Sequence, residues 1–386
     1  MDQWGPKIPE HQNNRLTTMR ILFLIPSLEG GGAERQLSYL SKDLMRFGVN
    51  VHVGYLREGP YLQPLQEAGV STHCLGPLSN SSPMLPWKIH QLIRRVQPKL
   101  IQTWLTQMDI LGGLAASWSR IPFVLSERTS SAFYTTNWKD RLRVAIGKRA
   151  NAIVANSNGG IEYWQVQGQP NGQIRRVIRN AIPFDALAAA TPVDAHEAIQ
   201  FRYRELILFA GRMVSIKNLA ALVPALITVL KQRQETIAVL MGNGPLASDC
   251  ALQAEASGLS TRLRVLPFSD RILGWFKRAD LFVSVSQFEG NPNAVLEAAA
   301  CGCPLVLSDI PAHRELFDDR SALFVRGGSS EAIAAGIVDT LEDRVTARTR
   351  AEQARNTVAS RTSDAYARQY LALYQDVFNR DVFDHE

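Results

Sequence analysis

Residues 281–316, LFVSVSQFEGNPNAVLEAAACGCPLVLSDIPAHREL, constrain the fold more than any other stretch of this 386-residue chain. Residues 281–286 form a short apolar, β-rich run, the signature of a buried strand. The turn formers Glu289-Gly290-Asn291-Pro292-Asn293 follow, and 294–300 then reads as a helix. Gly302 and Pro304 stop that helix, and 305–308 reads as the next strand. The unit is strand, loop, helix, strand, and helix N-termini in such units bind anions and nucleotides. Glu289 lies in the loop, at the mouth of any such site, where carboxylates hydrogen-bond polyols. Glu297, eight positions on, lies about one turn into the helix and can face the same crevice. Asn291 and Asn293 add amide donors and acceptors at the entry.

The same alternation recurs along the chain. Residues 20–25 form a continuous apolar run, as a parallel strand covered on both faces requires. Gly30, Gly31 and Gly32 follow, ahead of a helix over 33–47. Consecutive glycines let the backbone approach a ligand and aim N–H groups at a phosphate or sugar, although a tight strand-to-helix turn has the same composition. The dinucleotide fingerprint G-x-G-x-x-G is not met, which disfavours a nicotinamide enzyme. Further strands are expected at 51–55, 71–75, 100–103, 123–126 and 152–155, with helices at 61–68, 85–96, 109–119, 138–149 and 159–166. A second set starts at 206–210 and runs through the loop 211–218 into a helix ending near 233. It continues with a strand at 238–241, the turn Gly242-Asn243-Gly244-Pro245, a strand and turn at 264–268 and a helix at 270–279. Strands alternating with helices imply doubly wound parallel sheets, and this length implies two domains. The expected division is a disordered tail over 1–18 (with Met19 an alternative start), a first Rossmann-like domain over 19–185 and a linker over 186–205. A second Rossmann-like domain covers 206–363, and a last helix over 364–386, with Tyr366, Tyr370, Leu371 and Tyr374 at helical spacing, crosses back to the first domain.

Charge and composition narrow the function. Arg212 and Lys217 flank a glycine-led loop after the strand at 206–210. A planar guanidinium and a flexible ammonium converging there suit a diphosphate. Two cations at a helix start also oppose its dipole, so they call for a reason. No Asp-x-Asp metal clamp occurs, so the expectation is no metal and no cofactor, with phosphate charge met by Arg212, Lys217 and backbone dipoles. Residues 1–185 carry 21 Lys and Arg against 12 Asp and Glu, and the remainder 21 against 24. A basic first half meets something anionic. Nucleic acid is disfavoured because no recognised binding motif is present. The helices at 85–96 and 138–149 mix aromatic, aliphatic and basic residues, which fits an anionic membrane surface or a solvated basic face equally well. Four cysteines give no disulfide framework, suggesting a reducing, cytoplasmic setting, and Cys301 and Cys303 read as packing residues ahead of a metal pair. No run of about 18 apolar residues is present to span a membrane.

Glu289 and Glu297, set in EGNPNAVLEAAACGCPLVLSDI with the Gly302-x-Pro304 exit, resemble the acidic motif of the family 4 (group 1) retaining glycosyltransferases of GT-B architecture. That resemblance implies two Rossmann-like domains facing across a cleft. It implies that Glu289 contacts the transferred sugar and Glu297 the ribose hydroxyls, while Arg212 and Lys217 hold the donor diphosphate and stabilise it as it leaves. It also implies backbone contacts at Gly31, Gly32, Gly211, Gly242, Gly244, Gly290, Asn291, Asn293 and Ala294, with Pro267 and Phe268 beside the base. The implied activity is retaining transfer of a hexose or N-acetylhexosamine, from a donor expected to be UDP-linked, to a lipid-linked or polysaccharide acceptor. The setting would be cytoplasmic, peripheral to the inner face of the membrane. One departure concerns the loops after the strands at 100–103 and 123–126, where many relatives carry histidines. Here those segments hold none, and Asp109, Glu127 and Arg128 are the polar candidates. A GT-B nucleotide-sugar epimerase and a catalytically silent nucleotide-sugar binder are the competing readings.

Overall fold

The computed structural model describes residues 19–76, 84–129, 134, 137–194 and 201–383, so the expected tail over 1–18 lies outside the described residues. These residues divide into two compact units, one ending at Ala181 and resuming at Ser363, the other spanning Ile182–Thr362.

In the first unit, β1 (Arg20–Leu24), β2 (Asn50–Tyr55), β3 (Ser71–Cys74), β4 (Leu100–Trp104), β5 (Phe123–Glu127), β6 (Ala152–Ala155) and β7 (Ile174–Val177) form one parallel sheet. Its order is β3-β2-β1-β4-β5-β6-β7. The connections are α1 (Gly32–Arg46), α2 (Leu62–Glu67), α3 (Leu85–Val96), α4 (Leu105–Ser119), α5 (Trp138–Gly147) and α6 (Asn158–Val166). Alternation along β1 sends Ile21 and Phe23 into one core and Leu22 and Leu24 into the other, as a strand covered on both faces must. α4 starts at Leu105, four residues before the expected 109, because Leu105 takes a left-handed φ of 69° and turns the strand directly into the helix.

The last helix, α7 (Ser363–Phe383), belongs to this unit. Tyr366, Tyr370 and Tyr374 are fully buried along it. Arg128 explains two of them: its guanidinium donates to the hydroxyls of Tyr366 (2.9 Å) and Tyr370 (2.8 Å) and to Asn180 Oδ1 (3.0 Å). It also stacks 4.1 Å above the Trp104 ring. The Tyr374 hydroxyl donates to Gln102 Oε1.

The second unit carries β8 (Glu205–Ala210), β9 (Thr236–Met241), β10 (Leu263–Leu266), β11 (Leu281–Ser284), β12 (Leu305–Ser308) and β13 (Leu323–Val325). They pair in parallel in the order β10-β9-β8-β11-β12-β13. Its helices are α8 (Phe184–Ala189), α9 (Leu219–Gln232), α10 (Ala247–Ala256), α11 (Ile272–Arg278), α12 (Asn293–Ala300), α13 (Pro311–Arg314), α14 (Ser330–Glu342) and α15 (Arg344–Val358). The segment read as a linker, 186–205, includes most of α8, and Val193 N–H donates to Gly274 O at 3.2 Å, so it groups with this unit. Where the chain enters and leaves the unit, Ile182 N–H donates to Arg361 O at 2.8 Å.

Glu205 anchors the start of β8. It accepts hydrogen bonds from Arg233 (2.9 Å), Thr236 Oγ1 (2.6 Å) and Arg344 (2.8 Å). Burial opposes its charge, but the hydrogen bonds from Arg233, Thr236 and Arg344 outweigh it and bring the pKa down to about 2. A depressed carboxylate contributes stability that is present above its unfolded pKa and lost as pH falls toward the folded value. Glu205→Gln should therefore cost about 1–2 kcal/mol at pH 7 after allowance for solvent screening. Urea titrations at pH 7, 4 and 3 should show that difference shrinking with acidification; a pH-independent difference would contradict the assignment.

Candidate functional site

Strand order in the second unit reverses between β8 and β11, and ligands of open parallel sheets bind beyond the carboxyl ends of strands at such a point. The loops after those two strands carry Arg212 and Lys217 on one side and Glu289 on the other. The structure brings them together: Lys217 Nζ hydrogen-bonds Glu289 Oε1, and both side chains are largely shielded from solvent. Ser286 Oγ donates to the same Glu289 oxygen at 2.7 Å, and Gln287 N–H donates to Ile216 O at 2.9 Å, fastening one loop to the other.

Lys217 does not open a helix. Residues Ser215–Lys217 form a 3-10 turn, and Asn218 follows in a left-handed conformation (φ 57°), held by its side chain's hydrogen bond to Gly327 O. α9 then starts at Leu219. The cation thus projects from a tight turn in place of opposing a helix dipole directly. Arg212 is exposed on the preceding loop, and no side chain among the described residues holds it.

Two glycine loops lie back to back beneath these cations. Gly211 N–H donates to Met241 O (3.0 Å), Met213 N–H to Asn243 O (2.9 Å) and Gly242 N–H to Leu266 O (2.9 Å). Gly242 and Gly244 have φ of 149° and 155°, and a Cβ on them would stand 2.0 Å from Gly211 O and 2.4 Å from Met213 O. Neither position has room for a side chain, and both need a backbone that side chains rarely adopt. Gly242→Ala should cost more than about 2 kcal/mol and displace the Gly211–Arg212 loop. Gly328→Ala, with nothing within 4 Å of its Cβ, is the control. Thermal melts of both variants check this, and equal melting temperatures would contradict it.

α12 starts at Asn293 after Pro292, with no side-chain cap. Glu297 is buried in its second turn, Asn291 is buried just before it, and Gly290, Asn293 and Ala294 are partly covered. Pro267 and Phe268 stand exposed after β10, with Phe268 45% accessible. Gly31 and Gly32 lie in the first unit after β1. There Ser27 Oγ donates to Glu34 Oε1 at 3.0 Å, and the Glu34 carboxylate packs against Gly31.

The polar candidates of the first unit have another role. Arg143, on α5, donates to Asp109 Oδ2 (2.7 Å) and Glu127 Oε2 (2.9 Å), and all three side chains are buried. Asp109 also accepts from Thr103 Oγ1 (2.7 Å), and Glu127 from Trp164 Nε1 (3.0 Å), the Thr129 N–H (2.9 Å) and the Tyr134 hydroxyl (2.6 Å). Burial pushes Asp109 up to about 6, with Arg143 pulling the other way. Burial also acts to raise Glu127, but Arg143, Tyr134 and Thr129 outweigh it and the net direction is down. These carboxylates form a closed internal network, and Arg128 is committed to the C-terminal tyrosines. Arg143, Ser286, Ser308 and His313 carry no local sequence signal that separates them from ordinary helix and strand-end residues.

The comparisons agree with this geometry. A family model described as Glycosyltransferase Family 4 matches residues 30–185, and one described as Glycosyl transferases group 1 matches residues 204–343. EpsF of Bacillus subtilis strain 168, described as a glycosyltransferase, is 26% identical over 377 residues, covering 93% of this chain and 96% of that one. The UDP-Gal:alpha-D-GlcNAc-diphosphoundecaprenol alpha-1,3-galactosyltransferase of Escherichia coli is 25% identical over 234 residues, 58% of this chain and 60% of that one. Among solved structures, HepE of Anabaena in complex with UDP-glucose superposes with a TM-score of 0.81 at 21% identity, covering 92% of this chain and 99% of that one. Two parallel α/β units, matched in chain order by the two halves of one family, place the chain among the family 4, group 1 glycosyltransferases: it is a transferase of GT-B fold.

Proposed function

We propose that this enzyme moves a hexose or N-acetylhexosamine, with retention of configuration, from a UDP-sugar to a lipid-linked or polysaccharide acceptor in cell-surface glycan synthesis. The observation that carries the reading is the Lys217–Glu289 contact at the switch point of the second unit, above the interlocked glycine loops. Lys217 and Arg212 meet the donor diphosphate and the charge that grows on it as the bond breaks. Gly211, Gly242 and Gly244 let the backbone approach the phosphates, and the start of α12, with Gly290, Asn291, Asn293 and Ala294, lies beside them. Glu297 takes the ribose hydroxyls, Pro267 and Phe268 border the base, and Glu289 positions the sugar. The UDP-glucose complex of HepE and the UDP-Gal donor in the name of the Escherichia coli relative support a uridine donor.

The diphosphoundecaprenol acceptor of that relative supports a lipid-linked acceptor here. The first unit carries a matching surface. Trp87, Leu114, Trp118 and Trp138 are exposed. Pro86, Leu111, Leu114, Ala115, Ser117, Trp118 and Arg149 line a shallow hollow of about 440 Å³. Exposed Arg94, Arg95, Lys139 and Arg141 share the helices of this region, and Lys148 follows the end of α5. Tryptophans with basic neighbours suit the interface of an anionic bilayer, so the enzyme works at the inner membrane face. No helix of the described residues is long and apolar enough to cross.

The test is to incubate the protein with UDP-glucose, UDP-galactose and UDP-N-acetylglucosamine plus a bacterial membrane extract. UDP release coupled to label entering the lipid fraction is expected from one of the three. Folded protein that releases UDP from none of them would overturn the reading.

A further inference from the structure

Glu289 depends on a hydrogen-bonded arm that reaches back through two strands of the sheet. Ser286, just past β11, is 1% exposed and donates to Glu289 Oε1 at 2.7 Å. Its own carbonyl accepts from Ser308 Oγ at 2.6 Å, at the end of the neighbouring β12. The carbonyl of Ser308 can only accept, so His313 Nδ1 is the donor to Ser308 O at 2.9 Å, which selects its tautomer. His313 is fully buried on α13, and burial pushes its pKa down, so the imidazole is a neutral, fixed end to the arm. Ser286, Ser308 and His313, from consecutive segments, thus form one line of hydrogen bonds, of which the Ser286 hydroxyl reaches the carboxylate.

That oxygen has two donors among the described residues, Lys217 and Ser286. When a donor diphosphate draws Lys217 away, the ammonium leaves and the hydroxyl stays. We propose that Ser286 is a positioning residue for the transfer reaction: its hydroxyl holds the Glu289 carboxylate against the sugar once Lys217 has moved to the diphosphate. This rests on the roles given above to Glu289 and Lys217. A hydroxyl already committed to the carboxylate, on a backbone pinned by Ser308, fixes one carboxylate orientation without adding charge beside the anomeric centre.

The test compares Ser286→Ala, Ser286→Thr, Glu289→Gln and the double variant Ser286→Ala with Glu289→Gln. Turnover is read as UDP release, with membrane extract as acceptor source, from whichever of UDP-glucose, UDP-galactose and UDP-N-acetylglucosamine the wild type uses, and UDP affinity by calorimetry. Ser286→Ala should lower kcat about 10- to 100-fold with KM and UDP affinity within about twofold of wild type. Ser286→Thr, which keeps the hydroxyl, should recover most of that loss. In the Glu289→Gln background, Ser286→Ala should add little, because the group it positions is already altered. If Ser286→Ala does not fold, the near-isosteric Ser286→Cys, a much weaker donor, takes its place. The proposal is overturned if the serine substitution costs the same factor in both backgrounds, if its loss falls wholly in KM, or if threonine fails to rescue. Full turnover by Glu289→Gln, or no turnover of any of the three sugar nucleotides by wild type, would instead overturn the underlying reading and this inference with it.

Discussion

Lys217→Ala should lower kcat/KM for sugar transfer by about 10²- to 10³-fold, the usual loss when one preorganised donor to a developing anion is removed. The size of the effect follows from where the ammonium sits. It is held by Glu289 Oε1 in a largely shielded pocket, so its charge acts through less water than a surface lysine's would. It also projects from the 3-10 turn Ser215–Lys217, whose position is locked by Asn218 and by the Gln287–Ile216 hydrogen bond. On such a mount only the lysine side chain has to swing from Glu289 for its charge to meet a leaving diphosphate. Initial rates of UDP release over a range of donor concentrations give the number. The loss should fall in kcat as well as KM, since the diphosphate gains charge as the glycosidic bond breaks. Lys217→Arg should keep part of the activity, because charge survives while point-like geometry is lost. A loss of under about fivefold would show that the transition-state charge is met elsewhere.

Arg143→Leu should destabilise the first unit by about 3–5 kcal/mol, because it leaves the carboxylates of Asp109 and Glu127 buried without their cation. Leucine fills part of the volume, and the rings of Tyr134 and Trp164, 4.9 and 5.2 Å from the guanidinium, lose a stacked cation as well. At 2–4 °C per kcal/mol for a domain of this size, the unfolding midpoint should fall by roughly 6–20 °C. Adding Glu127→Gln to Arg143→Leu should recover part of that loss, since one stranded charge is then removed. Differential scanning calorimetry measures both variants, and a drop below about 2 °C for Arg143→Leu would mean the network relaxes onto water.

The interior of each sheet was legible because its strands are short apolar runs between turn formers. At 305–308 the strand boundaries coincide with the sequence expectation, and the Gly302 that precedes it has a positive φ of 73°, as a helix stop requires. The pairing of Glu289 with Lys217 was legible only as two motifs. Their hydrogen bond joins residues 72 positions apart, and nothing local announces it. The partners of the first-unit candidates were hidden for the same reason. Glu127 looks like a free strand-end acid until Arg143 arrives from α5, and Arg128 like a free cation until Tyr366 and Tyr370 arrive from the last helix. β7, β13, α14 and α15 were not marked by strong patterns. β13 is three residues long, and α15 covers its neighbours largely with alanines, which give weak contrast between faces.

The most direct test of the central claim, that the second unit holds the nucleoside diphosphate part of a sugar donor, is a calorimetric titration of UDP into the whole protein beside Lys217→Ala and Glu297→Ala. The account predicts one UDP per chain, with affinity reduced at least about tenfold in each variant, in one by loss of a charge-assisted phosphate contact and in the other by loss of the ribose contact. No binding of UDP, or equal affinity in all three proteins, would contradict it.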